Sequence, residues 1–124
     1  MTARQDNAAW TQVFETAAAH AFDSVMVTDA DHRIVHTNAA FTELTGYAQS
    51  EVAGHTPGFL QGPKTDQAVI DRLHRTLDAG EVFEGSTVNY RKDGSAFDIQ
   101  WRVVPVRDGA GTLTHYVTVQ RDVS

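Results

Sequence analysis

The sequence GHTPGFLQGPKTD occupies residues 54–66 and joins a loop to a helix. Its glycines and prolines are typical of a loop, and Thr65 or Asp66 is positioned to cap the helix that follows. Gly80 ends this helix, along which apolar residues recur at helical spacing: Val69, Ile70, Leu73 and Leu77. The stretch therefore predicts a loop held beside a helix with one buried side.

Residues 1–21 carry the pattern of an amphipathic helix. Asp6 or Asn7 is the candidate N-cap, and one side of the helix carries Trp10, Val13, Phe14 and Ala17 at spacings of i, i+3, i+4 and i+7. This stripe is a large apolar surface for an isolated helix to expose. We therefore expect the segment to dock on the outer face of a sheet or on a partner subunit, giving a homodimer.

The other segments alternate between strand and helix patterns. Strands are predicted at residues 24–28 and 33–37 around a turn, followed by a helix at residues 39–45 between the N-cap Asn38 and Gly46. After residue 81 the period becomes two, which predicts long strands at residues 82–90, 97–106 and 113–122. The fold class is therefore α+β, a five-stranded antiparallel sheet with helices on one face and the N-terminal amphipathic helix as an extension.

The composition and charge of the chain limit what kind of protein it is and which partners it can bind. The 124 residues suffice for one domain, and 41% hydrophobic with 21% charged residues is typical of a globular chain. A net charge of −6 without a Lys/Arg cluster disfavours nucleic acid. No apolar run approaches the roughly 20 residues that cross a bilayer, and the N-terminus lacks the apolar core of a signal peptide. We predict a cytoplasmic protein with no membrane partner.

Residues 54–66 resemble the flavin-contacting loop and helix of LOV domains, the blue-light branch of the PAS sensor family, in which the segment reads GRNCRFLQGPETD. The segments VTD at residues 27–29, IVHTNAAF at 34–41, LTGY at 44–47, NYRKDG at 89–94 and VQRDVS at 119–124 are also similar to PAS segments, in the same order. The resemblance spans residues 22–124, which we assign to a PAS/LOV-like sensory domain, with residues 1–21 as its helical extension.

The position of the reactive LOV cysteine is Pro57 in this chain, which contains no cysteine. Because a prolyl ring offers no thiolate, cysteinyl-adduct photochemistry is excluded. It implies that a flavin, FAD or FMN, would be bound without a covalent bond. The residues it places around that flavin are Thr56, Pro57, Phe59, Leu60, Gln61, His74, Asn89, Ile99, Trp101, Thr118 and Gln120.

The resemblance retains only part of the polar site. Asn89 and Gln120 match ring-edge residues of LOV domains, whereas a second ring-edge Asn is replaced by Ile99. The two phosphate-binding arginines fall at Gly58 and His74. Because an arginine fork binds phosphate through two parallel hydrogen bonds, this replacement removes both charge and geometry.

Structural interpretations compete with a ligand role at several of these positions. Asn89 and Gln120 could bond each other, a backbone group or water, and Trp101 could be a core residue. His74 raises the alternative of haem, which the surrounding residues disfavour because they do not resemble the haem-binding PAS pattern. No histidine spacing predicts a metal site, and no catalytic motif is present, so we predict that the chain is not an enzyme.

Two functions remain open. The first is a sensory input domain that binds a small-molecule ligand, a flavin, and responds to light or redox change, with Trp101 or Tyr116 as electron donors and reorientation of Gln120 as the signal. The second is a cofactor-free PAS module for dimerisation and signal relay. In both, an effector domain absent from this chain is expected downstream.

Overall fold

The structure, a computed structural model, describes residues 12–13, 16–18 and 20–124. Within these residues the strands are β1 (Ser24–Asp29), β2 (Ile34–Thr37), β3 (Phe83–Tyr90), β4 (Ala96–Arg107) and β5 (Leu113–Asp122). They form one antiparallel sheet in the order β2-β1-β5-β4-β3. Between β2 and β3 the chain forms α1 (Ala39–Thr45), α2 (Gln49–Val52), a 3₁₀ turn (Pro57–Leu60) and α3 (Gln67–Asp78). The predicted α+β class and five-stranded antiparallel sheet are confirmed.

β5 lies in the middle of the sheet, paired antiparallel with β1 on one side and β4 on the other. Gln120 stands directly opposite Ser24 on β1 and Trp101 on β4. Two residues earlier on β5, Thr118 stands opposite residues on the same two strands. Because alternate residues of a strand face the same side, both rows project from one face of the sheet.

That face is the inner one, covered by the helices. β4 alternates strictly between buried and exposed residues from Ala96 to Val103, as its sequence period predicts. The buried set packs against Ile70 and Leu77 of α3. A second cluster joins Met26 of β1 to Phe41 of α1. Two hydrophobic clusters therefore lie between the helices and the inner face of the sheet.

The N-terminal segment contacts the opposite, outer face of the sheet. Residues 12–13 and 16–18 are helical, and Ala18 is buried against Val25 and Val27 of β1. Docking on the outer face was one of the two positions expected for this segment. Ala21 and Val117 pack against the same cluster.

The predicted apolar stripe is only partly within the described residues. Trp10 and Phe14 lie outside them. Val13 is 55% exposed, and Ala17 is also exposed. Within residues 12–13, 16–18 and 20–124, no helix is long and apolar enough to cross a membrane.

Helix α1 begins and ends where its capping residues predict. The side chain of Asn38 accepts a hydrogen bond from the backbone N–H of Phe41, satisfying a donor that the first turn leaves unpaired. Gly46 ends the helix with φ of 81°, a left-handed conformation that glycine adopts without penalty.

Asn38 also holds the N-terminal segment to β1. Its Oδ1 accepts from the N–H of Val25 at 2.9 Å, while its Nδ2 donates to the carbonyls of Ala18 at 2.7 Å and Asp23 at 3.1 Å. The residue is 5% exposed, so these bonds are formed away from water. One amide thereby joins α1, β1 and the segment before β1.

We predict that Asn38→Ala destabilises the protein by about 2–4 kcal/mol, because it removes an N-cap and leaves buried backbone groups unpaired. Urea unfolding followed by circular dichroism measures the change. Thr42→Ala, at an exposed position of the same helix, is the matched control and should cost less than about 1 kcal/mol. Equal small losses for both variants would contradict the role assigned to Asn38.

Candidate ligand-binding site

A cavity of about 430 Å³ lies between the inner face of the sheet, α3 and the 3₁₀ turn. This volume is in the range of small-molecule sites in proteins, roughly 300–1,000 Å³. Its inner end is closed by Ile99 and Gln120, each 2% exposed. The residues that line its mouth are exposed: Asp31, Thr56, Gly58 and His74.

The structure brings almost all the sequence-predicted site residues to this one cavity. The lining contains Thr56, Pro57, Leu60, Gln61, His74, Asn89, Ile99, Trp101, Thr118 and Gln120. They come from the 3₁₀ turn, α3 and strands β3, β4 and β5, so distant parts of the sequence converge. The ligand role of these residues remains a prediction.

Phe59 is the predicted residue that does not line the cavity. Its ring packs edge-on against Tyr47, with ring centroids 4.9 Å apart and an interplanar angle of 70°. In a 3₁₀ turn successive side chains are about 120° apart, so Pro57 and Leu60 share a direction and Phe59 does not. Similarity of the loop sequence alone gives no information about this difference.

The turn between β1 and β2 supplies two lining residues that the sequence analysis did not assign to the site, Asp31 and His32. The His32 ring stacks on Tyr116 of β5, with centroids 4.7 Å apart and planes 11° apart. His32 has φ of 65°, a left-handed conformation that few residues other than glycine adopt. The signal available in the sequence was a turn after β1, which does not specify where its side chains lie.

The inner end of the cavity contains unpaired polar groups. Gln120 Oε1 is buried and has no hydrogen-bond partner within the described part of the chain. The side chain of Asn89, which is only half-buried, likewise makes no hydrogen bond to a described residue. The structural interpretation in which the two amides bond each other or the backbone is therefore not what the structure shows. An unpaired buried polar group costs roughly 1–3 kcal/mol, so a partner supplied by a ligand or water would stabilise the site.

A second unpaired group lies next to Gln120. Ser24, its direct neighbour on β1, has a buried Oγ without a partner among the described residues. The next residue, Val25, donates its N–H to Asn38. Ser24, at the inner end of the cavity, is thus followed by Val25, whose N–H bonds to Asn38, the residue that holds the N-terminal segment.

Arg91 links the end of β5 to helix α1 through an ion pair and a hydrogen bond. Its guanidinium pairs with Asp122 at 2.7 Å, donates to the carbonyl of Leu44 and lies over the Phe97 ring at 4.5 Å. Hydrogen bonds from Ser124, together with the charge of Arg91, lower the pKa of Asp122 below its ordinary value. The ionised carboxylate therefore contributes stability above that ordinary value, and the contribution is lost as the pH falls through the lowered pKa.

No group of three or more His, Cys, Asp or Glu residues that could hold a metal ion occurs in the described ranges of the chain. The cavity lining is instead mostly apolar, with amide, hydroxyl and imidazole groups and one carboxylate, which is the composition of a site for a small organic molecule.

The sheet order, the helices on one face and the cavity between them define the PAS fold. A family model described as a PAS domain matches residues 23–124, and the chain belongs to this family. The LOV-like resemblance stated from the sequence is confirmed by the relatives.

Phototropin-1A of Oryza sativa subsp. japonica is 36% identical over 112 residues, covering 87% of this chain and 12% of that protein. A blue-light-activated histidine kinase of Brucella anthropi is 38% identical over 94 residues, covering 76% of this chain and 19% of that protein. The chain thus spans less than a quarter of these two curated relatives.

Solved structures of light-oxygen-voltage domains are also similar to this chain. A light-oxygen-voltage domain studied with a flavin analogue superposes with a TM-score of 0.82 at 36% identity, covering 94% of this chain and 85% of that one. An RNA-binding light-oxygen-voltage receptor gives 0.85 at 35% identity, covering 94% of this chain and 34% of that one. The protein is a sensory PAS domain of the LOV-related kind.

Proposed function

We propose that the cavity holds a flavin ring non-covalently and that the domain senses light or redox change without cysteinyl-adduct chemistry. The observation that carries this proposal is Gln120 Oε1, buried at the inner end of the cavity with no partner among the described residues. An acceptor in that position fits a ligand whose edge carries an N–H donor. A flavin ring has such an edge, and bound flavin supplies blue-light absorption and reversible electron transfer.

The side chains around the cavity fit the two surfaces of a flat ring. Ile70 and Leu73 of α3 and Leu60 of the 3₁₀ turn supply apolar contact, while Ile99 and Val103 supply it from the sheet. The amides of Gln120 and Asn89 would orient the polar edge, and Gln61 is a further polar neighbour. Apolar walls with a few convergent polar groups bind a heteroaromatic ring in one orientation and exclude water from it.

Trp101 and Tyr116 are the oxidisable aromatic side chains that line the cavity. Trp101 also contacts Phe83, with ring centroids 4.9 Å apart. The Tyr116 ring stacks on the His32 ring. We infer that these residues donate electrons to the site. Pro57 lines the cavity as well and supplies no nucleophile.

The signal would leave the cavity through β1. The Gln120 amide can rotate between a ligand edge and Ser24 Oγ, which lies opposite it and has no other partner among the described residues. Movement of Ser24 would displace Val25 and, through its hydrogen bond to Asn38, the segment that Asn38 holds. This proposed route combines neighbouring positions on paired strands with two hydrogen bonds of Asn38, and its output would be read by an effector region of a longer protein.

We predict that Gln120→Leu, in protein loaded with riboflavin, shifts the flavin absorbance to shorter wavelength because it removes a hydrogen bond to the ring. Asn89→Ala should weaken binding by about 1–3 kcal/mol, measured by flavin fluorescence quenching. Gln100→Leu is the matched control, since Gln100 is exposed on the opposite face of β4 and should change neither quantity. If the riboflavin spectrum and affinity of all three variants equal those of the unaltered protein, the proposal fails.

A second candidate function is dimerisation and signal relay without a cofactor. It is favoured by the helical positions Val13 and Ala17, which are exposed although apolar, while Ala18 beside them is buried on the sheet. A helix that docks with one side and leaves apolar residues on another is suited to pairing with a second copy. Both functions can coexist in one domain.

We predict that the protein sediments as a homodimer and that Val13→Glu shifts it towards monomer, because a carboxylate cannot be buried unpaired in the interface. Val82→Glu, at a similarly exposed valine (53%) ahead of β3, should leave the dimer intact. Analytical ultracentrifugation measures both. A monomeric unaltered protein at micromolar concentration would contradict the dimer.

A further inference from the structure

The mouth of the cavity carries no fixed positive charge. Among the described residues that line the cavity, none is lysine or arginine, and the acidic side chain of Asp31 is one of those at the mouth. The whole chain has a net charge of −6. A negatively charged group at the mouth would therefore meet a field that repels it.

None of the arginines that flank lining residues in the β1–β2 turn and on α3 lines the cavity, and two of them have other partners. Arg33 donates to the carbonyl of Gly54 at 2.9 Å. Arg72 donates through both terminal nitrogens to the carbonyl of Glu84 at 3.2 Å, and its guanidinium lies over the Phe83 ring at 4.6 Å. Arg75 is next to His74 but does not line the cavity, since adjacent residues on a helix point about 100° apart.

The space at the mouth is open, so its lack of a cation is not due to crowding. A Cβ added at Gly58 would have nothing within 4 Å. His74 faces the same opening from α3 and is exposed. The chain therefore places glycine and imidazole, not a guanidinium, at two open positions of the mouth.

We propose that this site selects a flavin without phosphate, riboflavin in preference to FMN or FAD; this inference rests on the proposed flavin binding. The ring is recognised at the inner end, where Gln120 and Asn89 lie, so the ribityl chain must extend towards the mouth. A terminal phosphate would there lose part of its hydration without gaining the charge-assisted hydrogen bonds that normally compensate it. A ribityl hydroxyl has no such penalty.

The experiment compares the dissociation constants of riboflavin, FMN and FAD for the purified full chain freed of any bound flavin, by fluorescence quenching and by calorimetry. We expect riboflavin to bind at least about tenfold more tightly than FMN or FAD, the factor given by a difference of 1.4 kcal/mol. Raising the ionic strength should narrow the ratio, because salt screens the repulsion at the exposed mouth.

Two variants separate the effect of local charge from that of total charge. His74→Arg should increase the affinity for FMN relative to that for riboflavin by about tenfold or more, because a guanidinium then faces the phosphate. Ala68→Arg adds one charge at an exposed position of α3 outside the cavity and should leave the ratio unaltered.

Different results would overturn the preference for a flavin without phosphate and the flavin site itself. If the folded protein binds flavins but FMN or FAD binds as tightly as riboflavin, the preference for a ligand without phosphate is overturned and the flavin site stands. If circular dichroism shows a folded protein and neither riboflavin, FMN nor FAD binds, the proposed flavin function is overturned, and the preference with it.

Discussion

The register of β5 between β1 and β4 is the constraint on which the rest of the structure depends. β5 is the central strand, and a shift of one residue would turn Tyr116, Thr118 and Gln120 from the inner face to the outer one. The same shift would place Val117 and Val119 in the cavity and remove its polar groups. Pairing on both sides makes such a slip costly, because every backbone hydrogen bond of β5 would have to be re-formed.

Because this register turns Thr118 and Gln120 inward, it places polar side chains in the interior. A buried amide without a partner costs roughly 1–3 kcal/mol, which is a large share of the 5–15 kcal/mol that stabilises a typical domain. Asn38 and Gln120 are both buried amides, but Asn38 has partners in three segments of the chain and Gln120 Oε1 has none among the described residues. The contacts within the chain thus account for Asn38, whereas the proposed ligand would supply the partner that Gln120 lacks.

Much of the fold could be predicted from the sequence because local signals agreed with each other. Helix α1 was bounded correctly since Asn38 and Gly46 are both capping residues, and the strict alternation along β4 fixed its buried face. The residues that line the site were harder to predict from the sequence. His32 reaches the cavity through a left-handed turn, and Phe59 leaves it through the rotation of a 3₁₀ turn, and neither direction is encoded in hydrophobic periodicity. Whether a buried amide is paired depends on contacts between distant segments.

The central claim is that Gln120 receives its missing hydrogen-bond partner from a flavin ring. Its most direct test is the ¹H–¹⁵N spectrum of the side-chain amides of the full chain, recorded as riboflavin is added. The account predicts that the Gln120 and Asn89 amide resonances shift strongly, while that of Gln100, exposed on the outer face, stays in place. Riboflavin binding with unchanged Gln120 and Asn89 resonances, or no binding by the folded protein, would contradict it.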